Sequence, residues 1–308
     1  MRIFLFFVLF LLNGCGTDGF WSLVPESQPP MPDPSADASE RLQLKMDRSL
    51  WQATQSHDAP SSPPVVTQEQ LPATRKPFFQ KSWRDPASGI ALNFVAEGCF
   101  TMGDDHGKAD AQPAHKVCLD GFWIGTHEVT QGQWQEVMGK LPPQSSYGEE
   151  LPVENLSWND VQPFIATLNR VSKGRFRLPT EAEWEFACRN RGANPRFCDN
   201  KADPTGFAWF GGVDHGVHPV GRLAPNALGL YDMNGNVWEW VSDWYAEDYY
   251  QHSPEKNPTG PEKGAGKVFR GGAWLSPVSF LGAAVRSHLW PDRKYTLLGV
   301  RVAGTPPD

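Results

Sequence analysis

Asn226-Ala-Leu-Gly-Leu-Tyr-Asp-Met-Asn-Gly-Asn-Val-Trp-Glu-Trp-Val-Ser-Asp-Trp-Tyr245 is the stretch that decides how this chain folds. It holds three tryptophans, three acids and two glycines. An oxygen-rich turn, Asp232 to Asn236, runs directly into an aromatic segment carrying Glu239. Gly235 permits a sharp turn with carbonyls facing inward, and Asn side chains cap nearby backbone groups. The stripe Trp238, Trp240 and Trp244 reads as core rather than as a ligand platform, and its indole N–H groups need partners there. Few folds need this combination, so the segment places the fold. It leaves the activity open.

Outward from this segment, three helices announce themselves by their caps. Thr130 with Gln133 makes a capping box ahead of Trp134, Val137 and Met138, and Gly139 stops the helix. Ser157, with Asp160 in the first turn, opens a second helix whose Val161, Phe164, Ile165 and Leu168 share one face. Thr180 with Glu183 opens a third, which carries Trp184, Ala187 and Cys188. Short apolar runs broken by Gly, Pro and Asn predict strands at Ala91–Val95, Val117–Ile124, Val268–Arg270 and Gly299–Val302. The sum is an irregular, loop-rich α+β domain from about residue 88 to 304.

The N-terminal part has another character. Ile3–Leu12 is a short apolar run after Arg2, followed by Asn13-Gly14-Cys15. That is the pattern of an export signal, too short to span a membrane comfortably. Leu12-Asn-Gly-Cys15 resembles a bacterial lipobox, which implies acylation of Cys15 after cleavage and a membrane attachment through lipid. Gly16 after the cysteine points to the outer membrane, facing the periplasm. An ordinary cleaved signal is the plainer alternative. Residues 16–87 hold 11 of the 28 prolines and read as a tether, mostly disordered. Ala38–Gln55 within it spaces Leu42, Met46 and Leu50 like a short helix.

Composition narrows the function. A net charge of −7 argues against nucleic acid, which needs a basic face. With Cys15 set aside, Cys99, Cys118, Cys188 and Cys198 remain, an even number that suggests disulfides in an exported chain. Three connectivities are open, and the near-neighbour pairing Cys99–Cys118 with Cys188–Cys198 is favoured. A zinc site is the rival, but no Cys-x-x-Cys spacing is present.

Several motifs occur in order: Phe100-Thr-Met-Gly103, Pro113-Ala-His115, Glu128-Val-Thr130, Pro152–Trp158, Arg177–Phe186, Gly229–Trp240, Arg270-Gly-Gly272 and Gly299-Val-Arg-Val302. The series closely resembles the formylglycine-generating enzyme family, also called the sulfatase-modifying factor family. The resemblance implies a compact C-type-lectin-like fold. It implies structural calcium, held by the Asp232 and Glu239 carboxylates and the Gly235 and Val237 carbonyls, since hard oxygens suit that ion. Without metal the same residues make an Asn-Gly turn. The resemblance further implies Cu(I) on two cysteines five residues apart, soon after Arg-Gly-Gly. Here those positions are Ser276 and Leu281, and Ala273 stands where a serine often follows the glycines. A hydroxyl and an alkyl group do not bind Cu(I) as thiolates do.

From that loss the sequence predicts a degenerate, non-catalytic member of the family, a pseudoenzyme with copper unlikely. It would be a lipid-anchored binding or regulatory module that presents a groove around Trp274, Ser276 and His288 to an envelope protein or peptide. One alternative is an oxidoreductase of the same family using a different metal or cofactor. Another is a carbohydrate-binding module, by analogy of fold. Two further sites rank below these: Ser276 with His288 as nucleophile and base, and Asp214-His215-Gly-Val-His218 as a metal loop.

Overall fold

The computed structural model describes residues 81–194, 196–199, 203–212 and 216–307. Cys15, the tether up to residue 80 with its Ala38–Gln55 segment, and Asp214 and His215 lie outside the described residues. The fold is α+β, with small open sheets and few helices. Three helices stand where their caps predict: α1 at Gln131–Met138, α2 at Trp158–Val171 and α3 at Glu181–Cys188. Each begins with a reciprocal capping box. For α1, the Thr130 hydroxyl accepts from Gln133 N–H at 3.2 Å and Gln133 Oε1 accepts from Thr130 N–H at 3.1 Å. Two otherwise orphaned donors are thereby satisfied at each helix start.

Among the described residues eleven short strands make three sheets. One is fully antiparallel, in the order β1-β2-β5-β11-β6, from Ser82–Arg84 (β1), Ala91–Val95 (β2), Phe122–Gly125 (β5), Ala303–Thr305 (β11) and Arg175–Arg177 (β6). A second runs β10-β7-β8-β9, from Leu298–Val300 (β10), Trp238–Trp244 (β7), Lys267–Arg270 (β8) and Ser287–Leu289 (β9). Only β10 and β7 are parallel. The third is the hairpin of Gly98–Met102 (β3) and His115–Leu119 (β4). The apolar run Val117–Ile124 is not one strand. It breaks at Asp120-Gly121 and feeds two sheets, because Gly121 presses against the Phe94 ring where a side chain would not fit.

Two of the three stripe tryptophans are core, while Trp244 is only partly buried at the end of β7. Trp238 and Trp240 are buried on β7, and Phe269 meets both edge-on at 5.1 and 5.4 Å. The Trp240 indole donates to Leu156 O at 3.0 Å, whereas the buried Trp238 indole nitrogen has no partner. Trp134 of α1 stacks on Phe164 of α2, which fixes that helix pair against the first sheet. Cys99 is bonded to Cys118 across the β3–β4 hairpin, and Cys188 at the end of α3 to Cys198.

The signature turn is threaded tightly. Gly235 has φ 82°, and its α-carbon lies against the Trp209 backbone. Gly235 N–H donates to Gly271 O at 2.9 Å, and Asn236 N–H donates to Trp209 O at 3.0 Å. A β-carbon here would overlap the Trp209 carbonyl. Gly235→Ala is expected to cost at least about 3 kcal/mol, through strain at positive φ and displacement of the Trp209 backbone. Urea unfolding checks this, and an unchanged midpoint would refute it.

Candidate functional site

The turn residues singled out from the sequence are all buried, and their side chains hold backbone passing on either side. Asn234 accepts from Cys198 N–H at 2.8 Å and donates to Leu281 O at 2.7 Å. Asn236 accepts from His218 N–H at 2.9 Å and donates to His218 O at 3.2 Å. Asp232 Oδ2 accepts from Gly221 N–H at 2.6 Å. Amide side chains, with a donor and an acceptor at one tip, can staple a passing backbone in both directions.

Glu239 does not wait for a cation. Its two oxygens take Arg301 in a fork at 2.7–3.0 Å, and Oε2 also accepts the Trp184 indole N–H at 2.6 Å. Arg301 further donates to Gly125 O at 2.9 Å and Tyr231 O at 2.8 Å. Among the described residues no group of three His, Cys, Asp or Glu side chains is arranged to hold a metal. The calcium expected on Asp232, Gly235, Val237 and Glu239 is thereby corrected: the cation serving this pocket is the Arg301 guanidinium. Glu128 shares the pocket, with both carboxylate oxygens buried and unpartnered. Burial first, then the Asp232 charge, pushes its pKa well above the usual carboxylate value. Burial likewise raises Asp232 to about 6, against the opposing pull of Gly221 N–H and Arg301.

The expected groove residues separate. Ser276 is fully buried, and its hydroxyl accepts from Ala273 N–H at 3.0 Å. Leu281 is fully buried among Phe197, Phe207 and Phe210. Trp274 is half-buried against the main core, with its indole nitrogen unpartnered. His288 lies on β9 and stacks on Tyr245 at 3.8 Å. Burial, more than any charge, lowers its pKa. No hydrogen bond or ring contact joins Ser276 to His288 among the described residues. Of the histidine loop, His218 stacks flat on Trp209 at 3.7 Å.

The open cleft lies elsewhere and has a volume of about 550 Å³. One wall is Leu119–Phe122 with Asn257–Thr259, and the other is Trp158, Gln162 and Ile165 of α2 with the segment from Arg177 to Glu183. Arg177 grips Glu183 with two bonds of 2.6 Å, a planar fork held at the rim. Beneath it, Lys267 is held between the Trp158 and Trp244 rings at 4.3 and 4.2 Å and donates to Ser242 O at 2.7 Å. Burial lowers its pKa. The cleft escapes a sequence reading because its residues come from five separate segments. The capping pair Thr180 and Glu183 was a visible signal, but a cap is ordinarily structural.

A ladder of buried charges lies behind α3. Arg270 donates to Glu181 at 2.8 Å and Glu185 at 2.6 Å, Arg286 forks onto Glu181, and Arg189 donates to Glu185 at 2.8 Å. Arg286 is also covered by the Tyr245 and Tyr250 rings at 4.9 and 4.3 Å. Burial acts to raise the pKa of Glu185, but Arg189 and Arg270 prevail and lower it. Asp243 forms no ion pair among the described residues; it accepts from Glu181 N–H and from the Ser242 hydroxyl, both at 2.9 Å. Burial, then the Glu181 charge, raises it from 3.8 to about 7.

Residues 80–306 match the sulfatase-modifying factor enzyme 1-like domain, and the chain belongs to that family. It is 30% identical to the formylglycine-generating enzyme of Mus musculus, over 68% of this chain and 73% of that one. It is also 30% identical to the serine/threonine-protein kinase pkn1 of Chlamydia caviae, of whose length it spans 37%. Among solved structures, PvdO from Pseudomonas aeruginosa superposes with TM-score 0.65 and 28% identity over 73% of this chain and 98% of that one. Treponema denticola variable protein 1 gives 0.65 and 26% over 74% and 99%. These two carry the lectin-like architecture as well as the family. The two disulfides and this company place the domain outside the cytoplasm.

These findings correct the functional reading. Ser276 and Leu281, standing where the resemblance expects catalytic cysteines, predict a degenerate, non-catalytic pseudoenzyme. The domain instead keeps two intact cysteine pairs, and its relatives include enzymes matched across most of its length. Two buried core positions decide nothing about chemistry elsewhere in the domain. The exclusion of copper drawn from those positions falls for the same reason.

The buried acids set a pH dependence. A carboxyl whose folded pKa is raised keeps a proton that the unfolded chain has released, so its contribution is full below the unfolded value and is lost as pH rises through the folded one. For Asp243 that window runs from 3.8 to about 7. About 2–4 kcal/mol of its contribution at pH 4 is expected to be gone by pH 8. Urea unfolding across that range should show the decline, and Asp243→Asn should flatten it. An equally steep decline in the variant would refute the assignment. Glu128→Gln removes a second such acid and is expected to raise stability at pH 8 by about 1 kcal/mol or more. A midpoint below wild type at pH 8 would refute that.

Proposed function

We propose that this chain is an extracytoplasmic oxidoreductase of the sulfatase-modifying factor family, working with a metal or cofactor other than one held at positions 276 and 281. The observation that carries the reading is the whole family domain, residues 80–306, present with its cysteines in two pairs. Likeness to the formylglycine-generating enzyme and to PvdO supports it. The cleft supplies a substrate site of ordinary size, since ligand sites occupy about 300–1,000 Å³. Trp158, Phe122, Ile165 and Leu178 offer apolar wall, and Gln162, Asn257 and Ser242 offer hydrogen bonds. That mixture suits a short extended peptide, whose backbone needs both.

The reading includes an address. Cys15 would carry the lipid that holds the chain at the outer membrane, facing the periplasm. Residues 16–80 would then act as a tether with a root-mean-square reach of roughly 40–50 Å. An envelope protein or peptide within that reach is the proposed substrate or partner. Cys15→Ser should move the protein from the membrane fraction to the soluble periplasmic fraction, and unchanged fractionation would remove the anchor from the proposal.

The catalytic test uses the full chain. Oxygen or acceptor consumption is measured with thiol-bearing peptides after loading with first-row metals in turn, alongside elemental analysis. Turnover that tracks one retained metal or cofactor is expected. No turnover under any loading overturns the reading. Trp158→Ala is expected to raise KM at least about tenfold, the effect of losing roughly 1.4 kcal/mol of binding.

A further inference from the structure

The two disulfides differ in what can reach them. Cys188 and Cys198 are 0% and 3% exposed, sealed beneath Trp184, Leu230 and Met233. Cys99 is exposed on the outer face of β3, and Cys118 is half-exposed directly opposite it on β4. β3 and β4 pair with each other and with no other named strand. Thiol–disulfide exchange requires in-line approach of a thiolate to one sulfur, so access separates the two bonds before any other property does.

Cys118 is also the point from which one wall of the cleft hangs. Its N–H donates to Glu255 O at 2.7 Å, and its carbonyl accepts from Asn257 N–H at 2.9 Å. Asp120 and Asn257 then exchange two bonds, with Asp120 N–H donating to Asn257 Oδ1 at 2.9 Å and Asn257 Nδ2 donating to Asp120 Oδ2 at 2.8 Å. Lys116 pairs with Glu255 at 2.8 Å. The four residues after Cys118, Leu119–Phe122, line the cleft, and so do Asn257–Thr259. Both halves of that wall are therefore indexed to one backbone position, and its covalent tie is the bond to Cys99.

We propose that Cys99–Cys118 is a thiol–disulfide exchange site whose redox state sets the order of this cleft wall. The reactant is a protein dithiol of the thioredoxin type or an equivalent small dithiol. Its thiolate attacks the exposed Cys99 sulfur. A mixed disulfide forms, the Cys99–Cys118 bond breaks, and Cys118 leaves as thiolate. The donor's second thiolate attacks the mixed disulfide, closing the donor's own disulfide and releasing the Cys99 thiolate. Two electrons pass from donor to protein, and both new thiolates take protons from water. Glu255 Oε1 lies 3.6 Å from the Cys118 sulfur and accepts the new S–H. An oxidised donor reverses the sequence. Reduction loosens Cys118–Gly121, up to the anchor of Phe122 on β5, and the Asn257–Thr259 segment bonded to it, so the oxidised protein has the ordered cleft and the reduced protein a loosened one. This holds whichever reaction the domain performs.

The test uses the full chain under native conditions. Dithiothreitol is applied for increasing times, thiols are trapped by alkylation, and each cysteine is followed by peptide mass analysis. Cys99 and Cys118 are expected to be labelled at least about a hundredfold faster than Cys188 and Cys198, as access dictates. On reduction, amide exchange in Leu119–Gly121 and Asn257–Thr259 is expected to rise about tenfold, with α2 unchanged. Cys99→Ser should give the same pattern without reductant. Equal labelling of the four cysteines overturns the exchange site. Unaltered wall exchange in the reduced wild-type protein overturns the coupling, whether or not the variant folds.

Discussion

The Arg301 guanidinium ties β7, the end of β5 and the approach to the signature turn together through one buried side chain. It lies between β10 and β11, and reaches Glu239 on β7, Gly125 at the end of β5 and Tyr231 ahead of the signature turn. Taking a carboxylate and a guanidinium out of water costs several kcal/mol per ion, and only a full set of hydrogen bonds offsets it. The fork onto Glu239, the two carbonyls and the Trp184 indole on Glu239 provide that set. A wrong register of β10 on β7 would leave both charges buried and alone. The interaction thus selects one arrangement of loops more than it adds net stability.

The same logic repeats behind α3. An eight-residue helix with three glutamates reads as a solvent-facing element, yet every residue of it is buried. Arg270, Arg286 and Arg189 arrive from β8, the approach to β9 and the helix's own end to meet those acids. A domain with short strands and long loops has little regular backbone pairing to specify its topology. Buried ion pairs and amide staples such as Asn234 and Asn236 take over that task, each joining segments distant in sequence.

This economy bears on function. Positions 276 and 281 are part of the packing, with Leu281 in the aromatic cluster and Ser276 closing a turn onto Ala273. Other surfaces stand outside this packing. The open cleft is such a surface, bounded by α2 and by the loops that leave the β3–β4 hairpin. It lies beside the accessible cysteine pair, because Leu119–Phe122 follow Cys118 directly.

Local rules were legible in the chain. Thr130, Ser157 and Thr180 marked three helix starts because a capping box is completed within four residues, and the ordered motifs carried the family and its α+β architecture. Trp238 and Trp240 were readable as core, since so much aromatic area has few other places to go, whereas Trp244 at the end of β7 stays partly exposed. Other features depended on neighbours far along the chain. The first strand, Ser82–Arg84, precedes residue 88, where composition places the start of the domain, because its pairing comes from β2 and not from its own sequence. Glu239 looks like a metal ligand until Arg301, 62 residues later, is brought to it. The sequence by itself determined the helix caps, the turn at Gly235, the core aromatics and the family. The tertiary structure decided which acids are neutralised, which cysteines face solvent and where the cleft opens. Those properties are set by distances between remote segments, which no local pattern encodes.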